Sequence, residues 1–290
     1  MNRTSIEWVK NPDGTQGYTW NPITGCLNGC EYCYARKLAN TRLRERYLAN
    51  RNVATGIIDD IYDWNQPIVD PFYPRFWPEK LVNGLPSGKP KGIFVCDMSD
   101  LFGRGIPYSW TWQVLRLIKF YPQHRFYLLT KQPQSLIKFS PYPDNCWVGV
   151  SATNFEQFGI GLMYLNEIRA TVKYFSFEPL LHEIAPDKKY LGYNSELMGI
   201  DLKNAGINWL IIGAQTKPYK PPKVEWVEEI VEAADVAGVP VFLKDNLKPL
   251  LKQSGFNINA FWADKRDIAG FEPLHLELRQ EMPEAVPVCR

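Results

Sequence analysis

Short apolar runs recur along the chain, each followed by polar residues and in most cases by a helical pattern. The run 93–96 leads into Asp97, Ser99 and Asp100, the run 126–129 into Thr130 and Lys131, and the run 147–150 into Ser151, Thr153 and Asn154. Further on, 174–177 leads into Glu178, 209–212 into Gly213, Gln215 and Thr216, and 241–243 into Lys244, Asp245 and Asn246. Runs that are apolar on both faces predict strands of a parallel sheet covered by helices. Helical patterns at 111–120, 155–168 and 223–237 fill the gaps. The last carries Val224, Val227, Ile230, Val231 and Ala234 near a 3.6-residue period, with Gly238 where a helix C′ residue belongs. Alternation of strand and helix predicts an α/β fold of βαβ units, and an earlier strand through Tyr18, Thr19 and Trp20 would lead into a cysteine-bearing loop. Polar residues gathered after the strands would line the C-terminal rim, where sites in such folds form.

Two regions depart from this repeat. Residues 52–91 are rich in proline and aromatics, including Trp64, Pro67, Phe72 and Trp77, and read as an insertion that either covers substrate or packs as a surface loop. Residues 252–290 read as a C-terminal extension with a terminal helix near 274–281. The length of 290 residues suits one domain spanning 1–290. No apolar run approaches the roughly 20 residues that span a bilayer, and residues 1–10 lack the apolar stretch of a signal peptide. A cytoplasmic protein with no membrane partner is expected.

Charge narrows the partners only slightly. Thirty-three basic residues against 31 acidic ones give a formal charge of +2, so no global field announces long nucleic acid. The basic run Arg36, Lys37, Arg42, Arg44 and Arg46 reads more simply as a solvated helix face.

Six cysteines in a cytosolic chain suggest ligands, catalysts or buried thiols before a disulfide framework. Cys96, Cys146 and Cys289 are scattered, whereas Cys26, Cys30 and Cys33 form a C-x3-C-x2-C pattern on a loop marked by Gly25, Asn28 and Gly29. So short a loop can wrap three thiolates around one face of a cuboidal iron–sulfur cluster and leave one iron open. The alternative is a structural zinc with a distant fourth ligand such as Cys96 or His124. Zinc sites usually present paired CxxC or regularly spaced histidines, which are missing from this pattern.

With Tyr32 between Cys30 and Cys33, the loop resembles the C-x3-C-x-aromatic-C motif of the radical S-adenosylmethionine (SAM) superfamily. The stretches Thr19-Trp20-Asn21-Pro22, Gly25-Cys26 and Cys33-Tyr34-Ala35 further resemble the phage Gp37/Gp68-like (DUF5131) family. So do Asp97-Met98-Ser99-Asp100-Leu101-Phe102, Leu129-Thr130-Lys131, Gly149-Val150-Ser151 and Phe177-Glu178-Pro179-Leu180. The likeness covers roughly residues 4–246. It departs at Gly213-Ala214-Gln215-Thr216-Lys217, where that family often reads Gly-Gly-Glu-Ser-Gly and so carries an acid.

The resemblance implies a partial (β/α)6 TIM-like barrel, a [4Fe-4S] cluster on Cys26, Cys30 and Cys33, and cleavage of SAM to a 5′-deoxyadenosyl radical. By likeness to the spore photoproduct lyase branch, Ser99, Lys131 and Ser151 fall at cofactor-binding positions, and Tyr32, at the aromatic position of the superfamily's motif, joins them. Glu178, Asp97, Asp100 and Asp245 are the acids placed to hold a polar substrate or move a proton, with Glu178 first because it follows an apolar strand; a salt bridge to Lys131 or Lys244 is its competing use. The expected activity is that of a lyase or modifying enzyme on a nucleobase-type substrate, such as a 7-deazaguanine like queuine, with an external electron donor such as flavodoxin or ferredoxin. Alternatives are a radical SAM enzyme acting on a peptide or small metabolite, and a zinc-containing nucleic-acid-binding protein.

Overall fold

A computed structural model describes residues 1–54, 69–185, 192–253, 262–264 and 276–284. Trp64 and Pro67 of the proline-rich region and Cys289 lie outside the described residues. The described residues of Met1–Val150 and Glu167–Thr171 form one compact unit, and those of Ser151–Asn166 and Val172–Val286 form a second.

The first unit is built on strands β1 (Asn2–Arg3), β2 (Tyr18–Trp20), β3 (Gly92–Val95), β4 (Arg125–Thr130) and β5 (Cys146–Ser151), whose last residue, Ser151, already belongs to the second unit. The edge strand β1 pairs antiparallel with β2, while β2, β3, β4 and β5 pair successively in parallel. The expected alternation explains this: every residue of β3 and β5 is buried, as a strand covered on both faces requires. Helices α1 (Tyr34–Asn40) and α2 (Arg44–Ala49) follow the cysteine loop, and α3 (Tyr108–Lys119) connects β3 to β4. Three residues of α3, Val114, Leu115 and Ile118, turn into the core, while Tyr108 and Trp112 stand about half exposed.

The second unit contains α4 (Phe155–Glu167), strand β6 (Val172–Phe177), α5 (Ser195–Asn204), strand β7 (Trp209–Ile212), α6 (Val224–Ala237) and strand β8 (Val241–Leu243). Strands β6, β7 and β8 pair in parallel. Helix α6 spans the expected segment, and Gly238 ends it at φ +67°, a left-handed conformation that glycine adopts without a Cβ clash. Sequence and structure therefore agree on an α/β protein with parallel strands.

The terminal helix expected near 274–281 is corrected. Leu276–Leu278 is a strand paired antiparallel with Trp262–Asp264, and the chain then runs beside β8, where Leu243 N–H donates to Arg279 C=O and Glu281 N–H to Val241 C=O. Burial of Leu278 together with an open edge of β8 outweighs local helix propensity. No helix among the described residues is long and apolar enough to cross a membrane.

Candidate functional site

The cysteine loop begins where β2 ends and is pinned from outside at nearly every turn. Gly25 N–H donates to Met98 C=O at 2.9 Å, and the Ser99 hydroxyl donates to Gly25 C=O. Cys26 N–H donates to Phe72 C=O at 3.0 Å. Gly25 sits at φ +85°, and a Cβ there would stand 2.4 Å from Tyr73 O and 2.6 Å from Phe72 O, so only glycine lets the chain pass this close. The 72–73 backbone that receives it is itself fixed by Arg75. This arginine, 1% exposed, donates to the carbonyls of Asn50, Asp70 and Tyr73.

Beyond the loop, Cys33 caps α1, its Sγ accepting from Arg36 N–H at 3.3 Å. The helix buries Ala35 and Ala39 against Tyr47, Phe72, Trp77 and Met98, and Cys26 and Cys33 pack on that cluster. Arg36 reaches back to Cys26 C=O at 3.3 Å and lies over the Phe72 ring. The proline- and aromatic-rich segment thus contributes, through Phe72, Arg75 and Trp77, to the wall behind the cysteines.

Electrostatics across the loop are asymmetric. Cys26, Cys30 and Cys33 are free and partly accessible. Burial first, and then the negative charge of Asp100, push the Cys26 thiol up to about 12; burial also raises Cys30, against an opposing pull from Lys131. The Tyr32 hydroxyl hydrogen-bonds to Cys30, and the Lys131 ammonium lies 5.6 Å from the Tyr32 ring centroid. Asp100, 5% exposed, accepts from Asn28 Nδ2 and Lys131 N–H, each at 2.9 Å, and from Phe102 N–H at 3.1 Å. Gln132 Nε2 completes the link by donating to Asn28 Oδ1 at 3.1 Å. One buried carboxylate therefore ties the middle of the cysteine loop to the end of β4.

Among the described residues, no group of three or more His, Cys, Asp or Glu side chains is arranged to hold a single metal ion. The two residues considered as distant zinc ligands are otherwise engaged. His124 uses Nδ1 to accept from Lys91 N–H and Nε2 to donate to Pro86 C=O, and Cys96 is 2% exposed at the end of β3.

Asp97 accepts from Asn21 Nδ2 at 2.5 Å and stands beside the Tyr34 hydroxyl, which donates to its backbone carbonyl at 2.7 Å. Burial raises its carboxyl from the ordinary value, against the hydrogen bonds that its side chain accepts from Asn21 and, at 3.4 Å, from the Tyr34 hydroxyl. Of the expected site residues, the three cysteines, Tyr32, Asp97, Ser99 and Lys131 fall in the first unit, and Ser151, Glu178 and Asp245 in the second. Ser151 is buried at the last position of β5.

In the second unit Glu178 forms an ion pair with Lys244, one of the two lysines expected for its competing use. Gly213 underlies both: a Cβ there would stand 2.9 Å from Lys244 Cδ and 3.3 Å from Glu178 Cγ. Asn246 bonds both backbone groups of Ala214, accepting from its N–H at 3.1 Å and donating to its C=O at 2.9 Å. Asp245 points elsewhere, pairing with Lys248 at 2.7 Å in a half-exposed position. Sequence reasoning gave no role to Asn28, Arg75, Gln132 or Asn246. Asn28 carried a local signal as a short polar residue inside the cysteine spacing, and Asn246 as a polar residue after the run 241–243.

No curated protein and no solved structure matches the chain. A family model matches residues 3–252, which include every residue of the cysteine loop and of the Glu178–Lys244 pair, and the chain thereby belongs to the family described as "Protein of unknown function (DUF5131)".

Proposed function

We propose that this chain is a radical SAM enzyme, related to the spore photoproduct lyase branch, that holds one [4Fe-4S] cluster on Cys26, Cys30 and Cys33 and acts on a nucleobase-type substrate. The observation that carries the reading is a loop with three free thiols whose backbone is fixed from four directions, by Met98, Phe72, Ser99 and Asp100. A cubane places its thiolates on separate irons and so asks for sulfurs spread along a loop, whereas a single zinc needs donors converging at about 2.3 Å on one point. The thiols' environment suits a cationic centre as well. Burial and the Asp100 charge disfavour bare thiolates, and a bound metal reverses that preference.

When bound, such a cluster supplies the electron that splits SAM into methionine and a 5′-deoxyadenosyl radical. The chain's own residues bind and orient. Lys131, beside Tyr32, offers the cation for the cofactor's carboxylate, and Ser151 offers a hydroxyl for the ribose. Ser99 acts chiefly by holding Gly25 in place. Asp97 is a partly buried acid for a ring N–H or a proton, and Glu178, held by Lys244, serves as a fixed carboxylate. The parallel strand–helix succession is the material of a partial (β/α)6 barrel.

The test is anaerobic reconstitution with iron and sulfide, followed by dithionite and SAM. Four irons and four labile sulfides per chain with release of 5′-deoxyadenosine are expected, and Cys30→Ala loses both. One zinc and no labile sulfide would overturn the proposal in favour of a zinc protein.

A further inference from the structure

Between Asp100 and Asp144 the chain contains no acidic residue, although 31 are spread through the whole; the same interval carries Arg104, Arg116, Lys119, Arg125, Lys131 and Lys138. Arg125 lies over the Trp147 ring at 4.1 Å, and Lys131 faces Tyr32. Arg104, Arg116, Lys119 and Lys138 are exposed, and Lys138 also donates to the Tyr108 hydroxyl.

Aromatic side chains share that surface. Tyr108 and Trp112 are 49% and 50% exposed, one helical turn apart on α3, and both rest on Phe139, at centroid distances of 6.0 and 5.1 Å. Phe139 is 1% exposed and closes a short helix, Pro133–Phe139, so both half-exposed rings rest on the core. Lys138 stands over the Tyr108 ring at 3.9 Å, and the neighbouring Ile137 is 45% exposed. Continuing along the helix from Tyr108 and Trp112 by further turns gives Arg116 and then Lys119, both exposed. Spacing of four residues sets successive positions about 6 Å apart.

Single exposed aromatics are ordinary. Two adjacent rings with fixed backs, followed on the same helix by cations and set in a segment without acids, are a combination with a specific complement. Flat apolar groups stack on the rings, and repeated anions meet Arg116, Lys119 and Lys138. A peptide rarely alternates the two, and an anionic membrane lacks the flat groups.

We propose that the face formed by Tyr108, Trp112, Arg116, Lys119 and Lys138 binds single-stranded nucleic acid. Bases stack on Tyr108 and Trp112, and phosphates pair with the three cations. The surface is independent of the cysteine loop, so this inference stands or falls apart from the radical SAM reading.

The test is fluorescence anisotropy of the full chain with labelled twelve-nucleotide DNA and RNA strands of mixed sequence. Trp112→Ala and Tyr108→Ala are each expected to weaken binding by about 5- to 100-fold, the range that base stacking supplies. Arg116→Gln with Lys119→Gln is expected to lower the slope of log affinity against log salt by roughly 1.4, two phosphate contacts at about 0.7 each. Cys30→Ala is expected to leave binding unchanged. Equal binding of DNA and RNA assigns recognition to base and phosphate alone, and a preference for RNA adds the 2′-hydroxyl; both uphold the proposal. Absence of binding at low salt overturns it, as does binding only to vesicles of anionic phospholipid. Binding that both ring variants leave intact, or that inorganic polyphosphate matches in affinity, overturns it too. All four substitutions are at exposed positions, and an unchanged thermal transition shows that the fold is retained.

Discussion

The side-chain amide of Asn28, in the middle of the cysteine loop, donates to the buried carboxylate of Asp100 at 2.9 Å. The same carboxylate takes the backbone N–H groups of Lys131 and Phe102, so its removal strands donors on three segments at once. Buried donors left without an acceptor are costly. Asp100→Ala is expected to lower unfolding free energy by about 2 to 4 kcal/mol, measured by urea denaturation, with Asp100→Asn intermediate because one oxygen survives as acceptor. A loss of less than about 0.5 kcal/mol would show that the carboxylate is not the tie.

The free cysteines divide into two environments, and metal loading should follow the division. Cys26, Cys30 and Cys33 are partly accessible on one loop, while Cys96 and Cys146 are buried in strands or at their ends. Alanine at any of the first three is expected to abolish labile sulfide and visible absorbance after anaerobic reconstitution. Cys96→Ala and Cys146→Ala should retain both at wild-type stoichiometry. Chelation of iron from the reconstituted protein should return all three loop thiols to alkylation by iodoacetamide, counted by mass spectrometry, and leave Cys96 and Cys146 unmodified in the folded chain.

Much of the fold was legible because local and tertiary preferences agree. The runs at 209–212 and 241–243 are strands end to end, and Gly238 stops α6 where its missing Cβ matters. The cysteine spacing marked the loop, and the short polar residues after β3 and β4 marked its surroundings. What stayed hidden depends on partners distant in sequence. Arg75 is 1% exposed with four backbone carbonyls around its guanidinium, a fact that a lone arginine in a proline-rich stretch does not announce. Ser99 falls by resemblance at a cofactor-binding position, and nothing local shows that its hydroxyl donates to Gly25 C=O. Leu276–Leu278 lacks a β signature of its own and becomes a strand through pairing with Trp262–Asp264.

Glu178 and Lys244 come from the ends of different strands and meet over Gly213. Their side chains are 25% and 10% exposed, so the pair lies between the surface and fully buried cases. A double-mutant cycle with Glu178→Gln and Lys244→Met is expected to give a coupling energy of about 1 to 3 kcal/mol in stability. Gly213→Ala should act on the same pair by pushing the Lys244 stem aside, at a cost of about 1 to 3 kcal/mol. Additivity between Gly213→Ala and Lys244→Met would separate the glycine from the ion pair.

His124 gives stability a pH dependence whose sign follows from its hydrogen bonds. The ring is 1% exposed, its Nδ1 accepts from Lys91 N–H at 3.2 Å, and its Nε2 bonds Pro86 C=O at 2.6 Å. A second proton on Nδ1 would set donor against donor. Burial above all, with the Lys91 charge adding to it, holds the ring's pKa below 6.5. The unfolded chain then binds the proton more readily than the folded one between the folded value and about 6.5. The stability this group contributes is complete above about pH 6.5 and declines as pH falls through the window beneath it. Urea unfolding of the wild type between pH 5 and pH 8, compared with His124→Gln, isolates the contribution. Glutamine does not titrate, so the variant should show a shallower fall in stability below about pH 6.5 than the wild type; parallel curves would mean that His124 takes up its proton equally readily in the folded and unfolded chain.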